Sequence, residues 1–364
     1  MDAISNFTMA SAAALAKKGK VTVFTFAYER PEVDGVNVRF LGGRNAHSIG
    51  TNLRALLGTF ALARELSRYD VLLLVNPDVG SMPACHLARR YNPKLRAMWT
   101  FHGLTPIEYV VGARDRLLMR IRRTAYIHSM KRTPLIKVDS DFVKQELTRS
   151  GVNSWRVVVM PLGADLSRMG GGNGRRVREL YGIGDRFLLL YVGRLAEFKH
   201  VDELIRAVAS NDDVCLLIVG GGPDRKRLER LAAELQLEDK VKFAGIVADG
   251  ELPDYYAACD AWATASRHEG FCVPIIEAMA AGKPVIVPEV AAAPETAGDA
   301  GLTYKSGDVV GLAEKISSLA ADKALYARLA DRAKARAASY ELRGVIKQYV
   351  RLVEEYDGGK SWKH

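Results

Sequence analysis

An α/β protein of two doubly wound domains is the fold class that this sequence predicts, on three observations. Short continuous apolar runs such as residues 71–75 and 214–219 recur between helical stretches, which is how strands of a parallel sheet buried on both faces read. The alternation restarts at Phe187, after a glycine-rich stretch at residues 170–174 that reads as a flexible linker and a place for a hinge. The 364 residues suffice for two cores of ordinary size.

Residues 4–18 are alanine-rich and end in Lys17 and Lys18 before Gly19, a helix with its stop signal, and residues 20–26 follow as a strand. A doubly wound nucleotide-binding domain ordinarily opens with a strand and a glycine-rich turn ahead of such a helix. Neither stands here. The expectation is therefore a first domain whose first strand is missing, the encoded start being truncated and Met1 lying in the loop behind a lost central strand. Further strands are expected at 36–40, 71–75, 95–101, 134–139 and 156–160. His102 and Gly103 directly follow the strand ending in Phe101, and parallel sheets bind ligands beyond the carboxyl ends of their strands. In residues 114–123, Arg116, Arg120 and Arg123 recur at helical spacing beside Leu117 and Ile121. That basic amphipathic helix suits a solvated face or an anionic membrane surface. Asp139-Ser140-Asp141 spells a D-x-D, a pattern that can hold a metal, but where a strand meets a helix an N-cap is the better reading, and no metal ligand is expected.

In the second half, the strand at 187–192 leads to Gly193 and Arg194, with Lys199 five residues on. A guanidinium fork and a point charge together suit phosphate oxygens. The strand at 214–219 leads to Gly220-Gly221-Gly222-Pro223, which is not the G-x-G-x-x-G of a dinucleotide site and is expected to be structural. Residues 267–284 are the most informative. Pro274 suits the first position of a helix, and Gly282 followed by Pro284 stops it, so a short helix feeds the apolar strand at 284–287. The loop at 270–273 then leads into a helix N-terminus, whose unpaired N–H groups suit a phosphate. Glu269 in the loop and Glu277 in the expected first turn flank it with two acceptor-only groups. A ligand with hydroxyls on both sides of a diphosphate fits that arrangement.

This string resembles the donor-binding signature of the retaining GT4-type glycosyltransferases of the GT-B fold, the glycosyl transferases group 1 family. EGF, the proline, EAMA and GKPVI all stand in register, and the likeness covers the chain apart from the missing opening strand. The resemblance implies two Rossmann-like domains with parallel sheets facing a cleft: an acceptor-side domain at 1–165, a linker at 166–185, a nucleotide-sugar domain at 186–340, and a last helix at 341–364 crossing back. It implies transfer of a sugar from a nucleotide diphosphate sugar with retained anomeric configuration. No second carboxylate stands out as a covalent nucleophile, so displacement on the same face is expected. By resemblance, His102 contacts the sugar near the reacting carbon, Glu269 its hydroxyls, Glu277 the ribose, and Arg194 and Lys199 the diphosphate. Gly270, Phe271, Cys272 and Val273 line the donor, and Ile246 borders the base. Cys272 departs from the pattern, since the family usually carries glycine there. No cofactor and no metal is expected, the donor being a substrate.

Apolar residues make up 48% and charged residues 26% of the chain, as in soluble globular proteins. There is no run of about 18 apolar residues and no signal-peptide pattern, so a cytoplasmic location is expected, with peripheral association at the inner face of the cell membrane. The four cysteines are scattered, which argues against disulfides and a zinc site. The net charge of +10 is uneven: residues 1–165 hold 24 basic and 13 acidic side chains, the remainder 28 and 29. A basic first half suits an anionic partner, and a lipid-linked acceptor is favoured over a soluble sugar. Nucleic acid is not expected as a partner, because the basic cluster lacks aromatic interleaving beyond Tyr109 and Tyr126. A dinucleotide oxidoreductase would need the fingerprint turn. The competing reading is a non-catalytic relative that binds nucleotide sugar but is disabled by the missing phosphate turn.

Overall fold

The computed structural model describes residues 3–25, 34–40, 59–75, 81–103, 107–109 and 112–358. The chain divides into two compact units, Met1–Leu162 with Arg343–His364, and Gly163–Leu342. Both are α/β with parallel strands, the architecture of two Rossmann-like domains of the GT-B class.

In the first unit, the alanine-rich helix Ala3–Ala16 leads to strand β1 (Val21–Thr25), which pairs in parallel with β2 (Val36–Phe40). Phe26, the expected end of the first strand, lies outside the described residues. A second parallel sheet runs in the order β3 (Val71–Val75), β4 (Arg96–Phe101), β5 (Leu135–Val138), β6 (Val157–Val159). Among the described strands, no ladder joins the two sheets. The continuous apolar run of β4 is buried from Ala97 to Phe101, with Trp99 fully enclosed, as a strand covered on both faces must be. Burial of each such side chain contributes about 1.5–3 kcal/mol. The last helix, Leu342–Asp357, joins this unit from Arg343 onward: the Tyr356 hydroxyl donates to the Ala97 carbonyl at 3.1 Å, and Tyr349 meets Phe7 edge-on at 5.5 Å.

The second unit holds β7 (Phe187–Val192), β8 (Val214–Val219), β9 (Val241–Gly245), β10 (Ala261–Ala263), β11 (Val285–Pro288) and β12 (Gly301–Tyr304). Their spatial order is β12-β11-β10-β7-β8-β9, all parallel. The unit's first strand therefore lies beside its fourth. That is the doubly wound order, and ligands bind outside the strand ends where the order reverses, here between β7 and β10.

The segment expected as a flexible linker is packed. Met169–Gly171 forms a 3-10 turn, and helix Gly174–Tyr181 is capped by Asn173, whose side chain accepts from the Arg176 N–H. A Cβ on Gly172 would overlap the Pro253 carbonyl, and one on Gly174 the backbone of Ala257 and Ala258. Arg178 adds hydrogen bonds to the Ala258 and Gly184 carbonyls and an ion pair to Asp260 at 2.6 Å. These glycines permit close approach to helix Leu252–Ala258, which composition alone reads as looseness. After β12 come two helices, Val309–Ala321 and Lys323–Ala337, separated because the Asp322 carboxylate caps the second by accepting from the Ala324 and Leu325 N–H groups.

Candidate functional site

The strand ends at the β7/β10 reversal carry most of the residues singled out from the sequence. Beyond β7, Gly193 leads to Arg194, whose side chain is exposed and forms no ion pair among the described residues. This loop is clamped from below. The Gly193 N–H donates to Val219 at 3.0 Å, the Leu195 N–H to Gly221 at 2.9 Å, and the Gly220 N–H to Gly245 at 2.7 Å. Gly220 has φ +134°, and a Cβ there would overlap the Gly193 carbonyl. Gly220 and Gly221 thus tie the end of β8 to those of β7 and β9, a structural use of the glycine run.

The turn Glu197–Lys199 follows, and the Lys199 ammonium donates to Glu269 Oε1 at 2.5 Å. Glu269 lies in the loop beyond β10, so this pair, 16% and 13% exposed, bridges the two sides of the switch point. Next come Gly270, Phe271 and Cys272, and helix Val273–Ala280 with Pro274 in its first turn, as the sequence requires. Phe271 is buried edge-on against Tyr340 at 5.5 Å, so its ring belongs to the core and only its backbone borders the loop. Cys272 has φ 69°, in the left-handed region where glycine is at home, a strain of about 1–3 kcal/mol. Burial, and then the Glu269 charge, push its thiol well above the ordinary range, with Lys199 opposing, so it is a neutral thiol.

Glu277 was expected in the first turn of this helix, but the helix opens at Val273 and places Glu277 one turn in. Its Oε2 accepts from the Tyr256 hydroxyl at 2.8 Å. Burial raises the Glu277 carboxyl pKa, while the Tyr256 hydrogen bond and the exposed Arg168 act against it. Arg168 itself donates to the Asp249 carbonyl at 2.6 Å. Glu269 lies before this loop and Glu277 in the helix after it, and both charges act on the Cys272 thiol. Ile246, just beyond β9, is 87% exposed, an uncovered apolar side chain beside the glycine turn.

In the first unit, His102 lies just beyond β4, 9% exposed. Its Nδ1 is within hydrogen-bond distance of Asp139 Oδ2 at 2.5 Å, and the buried Lys137 ammonium donates to Asp139 Oδ1 at 2.5 Å. Ser140 is the N-cap of helix Asp141–Arg149, accepting from the Val143 N–H at 3.3 Å, so the D-x-D is divided between an ion-pair cluster and a cap. Among the described residues, no cluster of three or more His, Cys, Asp or Glu side chains could hold a metal ion.

Sequence reading missed Tyr256, Lys137, and the use made of Asp139. Tyr256 gives no signal in sequence without knowledge of which helix covers Glu277. Lys137 and Asp139 do give one: a lysine two residues before an aspartate in an apolar strand puts both on one face, where a buried ammonium requires a counterion.

The sequence matches the family model Glycosyl transferases group 1 over residues 176–336 and Glycosyltransferase Family 4 over residues 4–168. A GDP-mannose-dependent alpha-(1-6)-phosphatidylinositol monomannoside mannosyltransferase of Mycolicibacterium smegmatis is 35% identical over 160 residues, 40% of this chain and 42% of that protein. A D-inositol 3-phosphate glycosyltransferase of Nocardia farcinica is 28% identical over 58% of this chain and 51% of its own length. The chain thus spans about half the length of the curated relatives it matches. Among solved structures, Anabaena HepE in complex with UDP superposes with a TM-score of 0.78 at 20% identity, covering 97% of this chain and 96% of that one. Sucrose-phosphate synthase of Thermosynechococcus elongatus gives 0.76 at 21% identity, covering 96% and 92%; these likenesses support the fold. With both halves of the chain matched and a doubly wound sheet in the second unit, the protein belongs to the GT4-type glycosyltransferases of the GT-B fold, the glycosyl transferases group 1 family.

Proposed function

We propose that this chain transfers a sugar from a nucleotide diphosphate sugar to an acceptor with retention at the anomeric carbon. The observation that carries the reading is the Lys199–Glu269 pair at the strand-order reversal, with Arg194 in the same connection beyond β7 and Glu277 in the helix that follows Glu269. Arg194 and Lys199 neutralise charge building on the leaving diphosphate, which is where fixed cations lower a barrier most. Glu269 accepts from hydroxyls of the sugar and Glu277 from those of the ribose. Ile246 offers an apolar face to the base. His102 meets the sugar near the reacting carbon. No metal is required, since the two cations supply the charge, and turnover is expected to persist in EDTA. Loss of activity on chelation with recovery on manganese would overturn that part.

The test is thermal stabilisation by UDP, GDP and ADP in EDTA. The relatives named for GDP-mannose and the HepE complex with UDP support two of these bases. One nucleotide at a hundredfold excess over its Kd is expected to stabilise the protein by about 2.7 kcal/mol. Glu277→Ala should weaken that nucleotide on the order of 10- to 100-fold, the worth of one charge-assisted hydrogen bond. The pH dependence has a sign. Because burial raises its pKa in the folded protein, the protonated Glu277 carboxyl favours the folded state at low pH, and this contribution is lost as the pH rises. Ribose hydroxyls need the ionised carboxylate, so affinity is expected to strengthen with rising pH, and Glu277→Gln to flatten the profile. Equal nucleotide affinity in wild type and both variants would sink the site assignment.

The acceptor is proposed to be lipid-linked, at an anionic membrane face. Helix Ala113–Met130 leaves Leu117, Leu118 and Ile121 59%, 46% and 58% exposed among Arg114, Arg116, Arg120, Arg122 and Arg123. Exposed apolar side chains ringed by guanidinium groups complement an anionic bilayer surface. Among the described residues no helix is long and apolar enough to cross a membrane, so contact is proposed through this face. The relatives named for phosphatidylinositol mannoside support the same reading. Co-sedimentation with phosphatidylglycerol vesicles is expected. Substituting glutamine at Arg116, Arg120 and Arg123 should weaken it on the order of 100-fold, at about 1 kcal/mol for each charge. Equal binding to neutral phosphatidylcholine vesicles would rule out the electrostatic part.

A further inference from the structure

We propose that Asp139, braced by Lys137, is a positioning residue that holds the His102 imidazole as its Nδ1–H tautomer and so presents Nε2 as a hydrogen-bond acceptor to a hydroxyl of the transferred sugar. This rests on the proposed sugar transfer. The placement follows from strand register. Phe101 of β4 pairs with Val138 of β5, so the next residues, His102 and Asp139, emerge side by side at adjacent strand ends. Lys137, two residues before Asp139, lies on the same face of β5.

The three side chains form a closed charge cluster. Lys137 is 0% exposed and Asp139 1%, with both Asp139 oxygens engaged at 2.5 Å, Oδ1 by the ammonium and Oδ2 by the imidazole. The ammonium also sits over the Phe7 ring, 5.2 Å from its centroid, and Phe7 is itself 3% exposed. Although burial disfavours its charge, the Lys137 ammonium and the His102 hydrogen bond keep the Asp139 carboxyl below its ordinary range. An ionised carboxylate can only accept, so Nδ1 carries the proton. In the neutral ring, Nε2 then bears a lone pair. That atom is buried and has no partner among the described residues, and a buried polar atom left unpaired by the protein calls for an explanation. A sugar hydroxyl is a donor of the right size and chemistry. Lys137 has a second consequence: it balances the carboxylate, so the cluster orients the ring without adding a net negative charge beside it.

The experiment pairs a spectroscopic readout with kinetics. Long-range 1H–15N NMR spectra of the full chain would report the tautomer of His102, assigned by its loss in His102→Gln. Wild type is expected to show protonated Nδ1 and pyridine-like Nε2. In Asp139→Asn, whose amide can turn its NH2 toward the ring, the tautomer should change or become mixed. Because that variant strands a buried ammonium, Lys137→Met/Asp139→Asn provides the charge-balanced version. Both are expected to lower kcat with UDP-glucose or GDP-mannose, whichever nucleotide binds, by 10- to 100-fold while leaving the nucleotide Kd within about twofold. A wild-type His102 protonated at Nε2, or a double variant with unchanged kcat, would overturn the proposal. Absence of transfer by the wild type with either donor would instead defeat the functional reading, and the tautomer could still be measured.

Discussion

Replacing Arg194 by glutamine is expected to lower kcat/KM about 100- to 1000-fold with little change in melting temperature, whereas Lys199→Gln should lower both. The contrast follows from what each cation touches. Arg194 is exposed and forms no ion pair among the described residues, so removing it leaves no unbalanced group. Its effect then falls on the transition state, where one fixed donor to a developing anion is worth about 3–4 kcal/mol. Lys199 has the same task but also holds Glu269, which is 13% exposed. Without the ammonium, that carboxylate is left unpaired in a poorly hydrated place, at about 1–3 kcal/mol. Lys199→Gln/Glu269→Gln removes both charges and should recover the melting temperature while leaving turnover low. If Arg194→Gln turned over normally and the double variant recovered activity along with stability, the pair would be a structural strut and the diphosphate assignment would fall.

The legibility of the chain follows from how local each signal is. The Pro274 start, the Gly282 stop and the strands as apolar runs are set by backbone chemistry within a few residues, and the structure carries them almost to the residue. The Lys199–Glu269 contact was not legible as geometry: seventy positions apart in the chain, the two meet only because β7 lies beside β10. Family resemblance put both residues at the donor without saying that they pair. The glycine run at 170–174 misled because glycine serves two physical ends, freedom and close approach, and only the packing of Leu252–Ala258 distinguishes them. Asp139 misled in the opposite way. D-x-D spacing hides that one aspartate follows a buried lysine at strand period and faces a histidine from the neighbouring strand.

Gly220→Ala should be among the most damaging single-methyl changes in the second unit, lowering stability by about 3–5 kcal/mol and the melting temperature by on the order of 10 °C. Two costs add. A φ of +134° is a conformation L residues rarely adopt, and the new Cβ would overlap the Gly193 carbonyl. Backbone cannot rotate away as a side chain can, so relief requires moving the Gly193–Leu195 segment, which carries Arg194 and is tied to β8 through the Gly193 and Leu195 N–H groups. The same methyl should therefore weaken nucleotide binding even at a temperature where the variant is folded. Gly250→Ala is the matched control, with nothing within 4 Å of its added Cβ, and should leave both properties nearly unchanged. Lost stability with intact nucleotide affinity would mean that the turn yields on the β9 side and that the Arg194 loop keeps its place. The glycines would then maintain the sheet end without setting the position of the guanidinium.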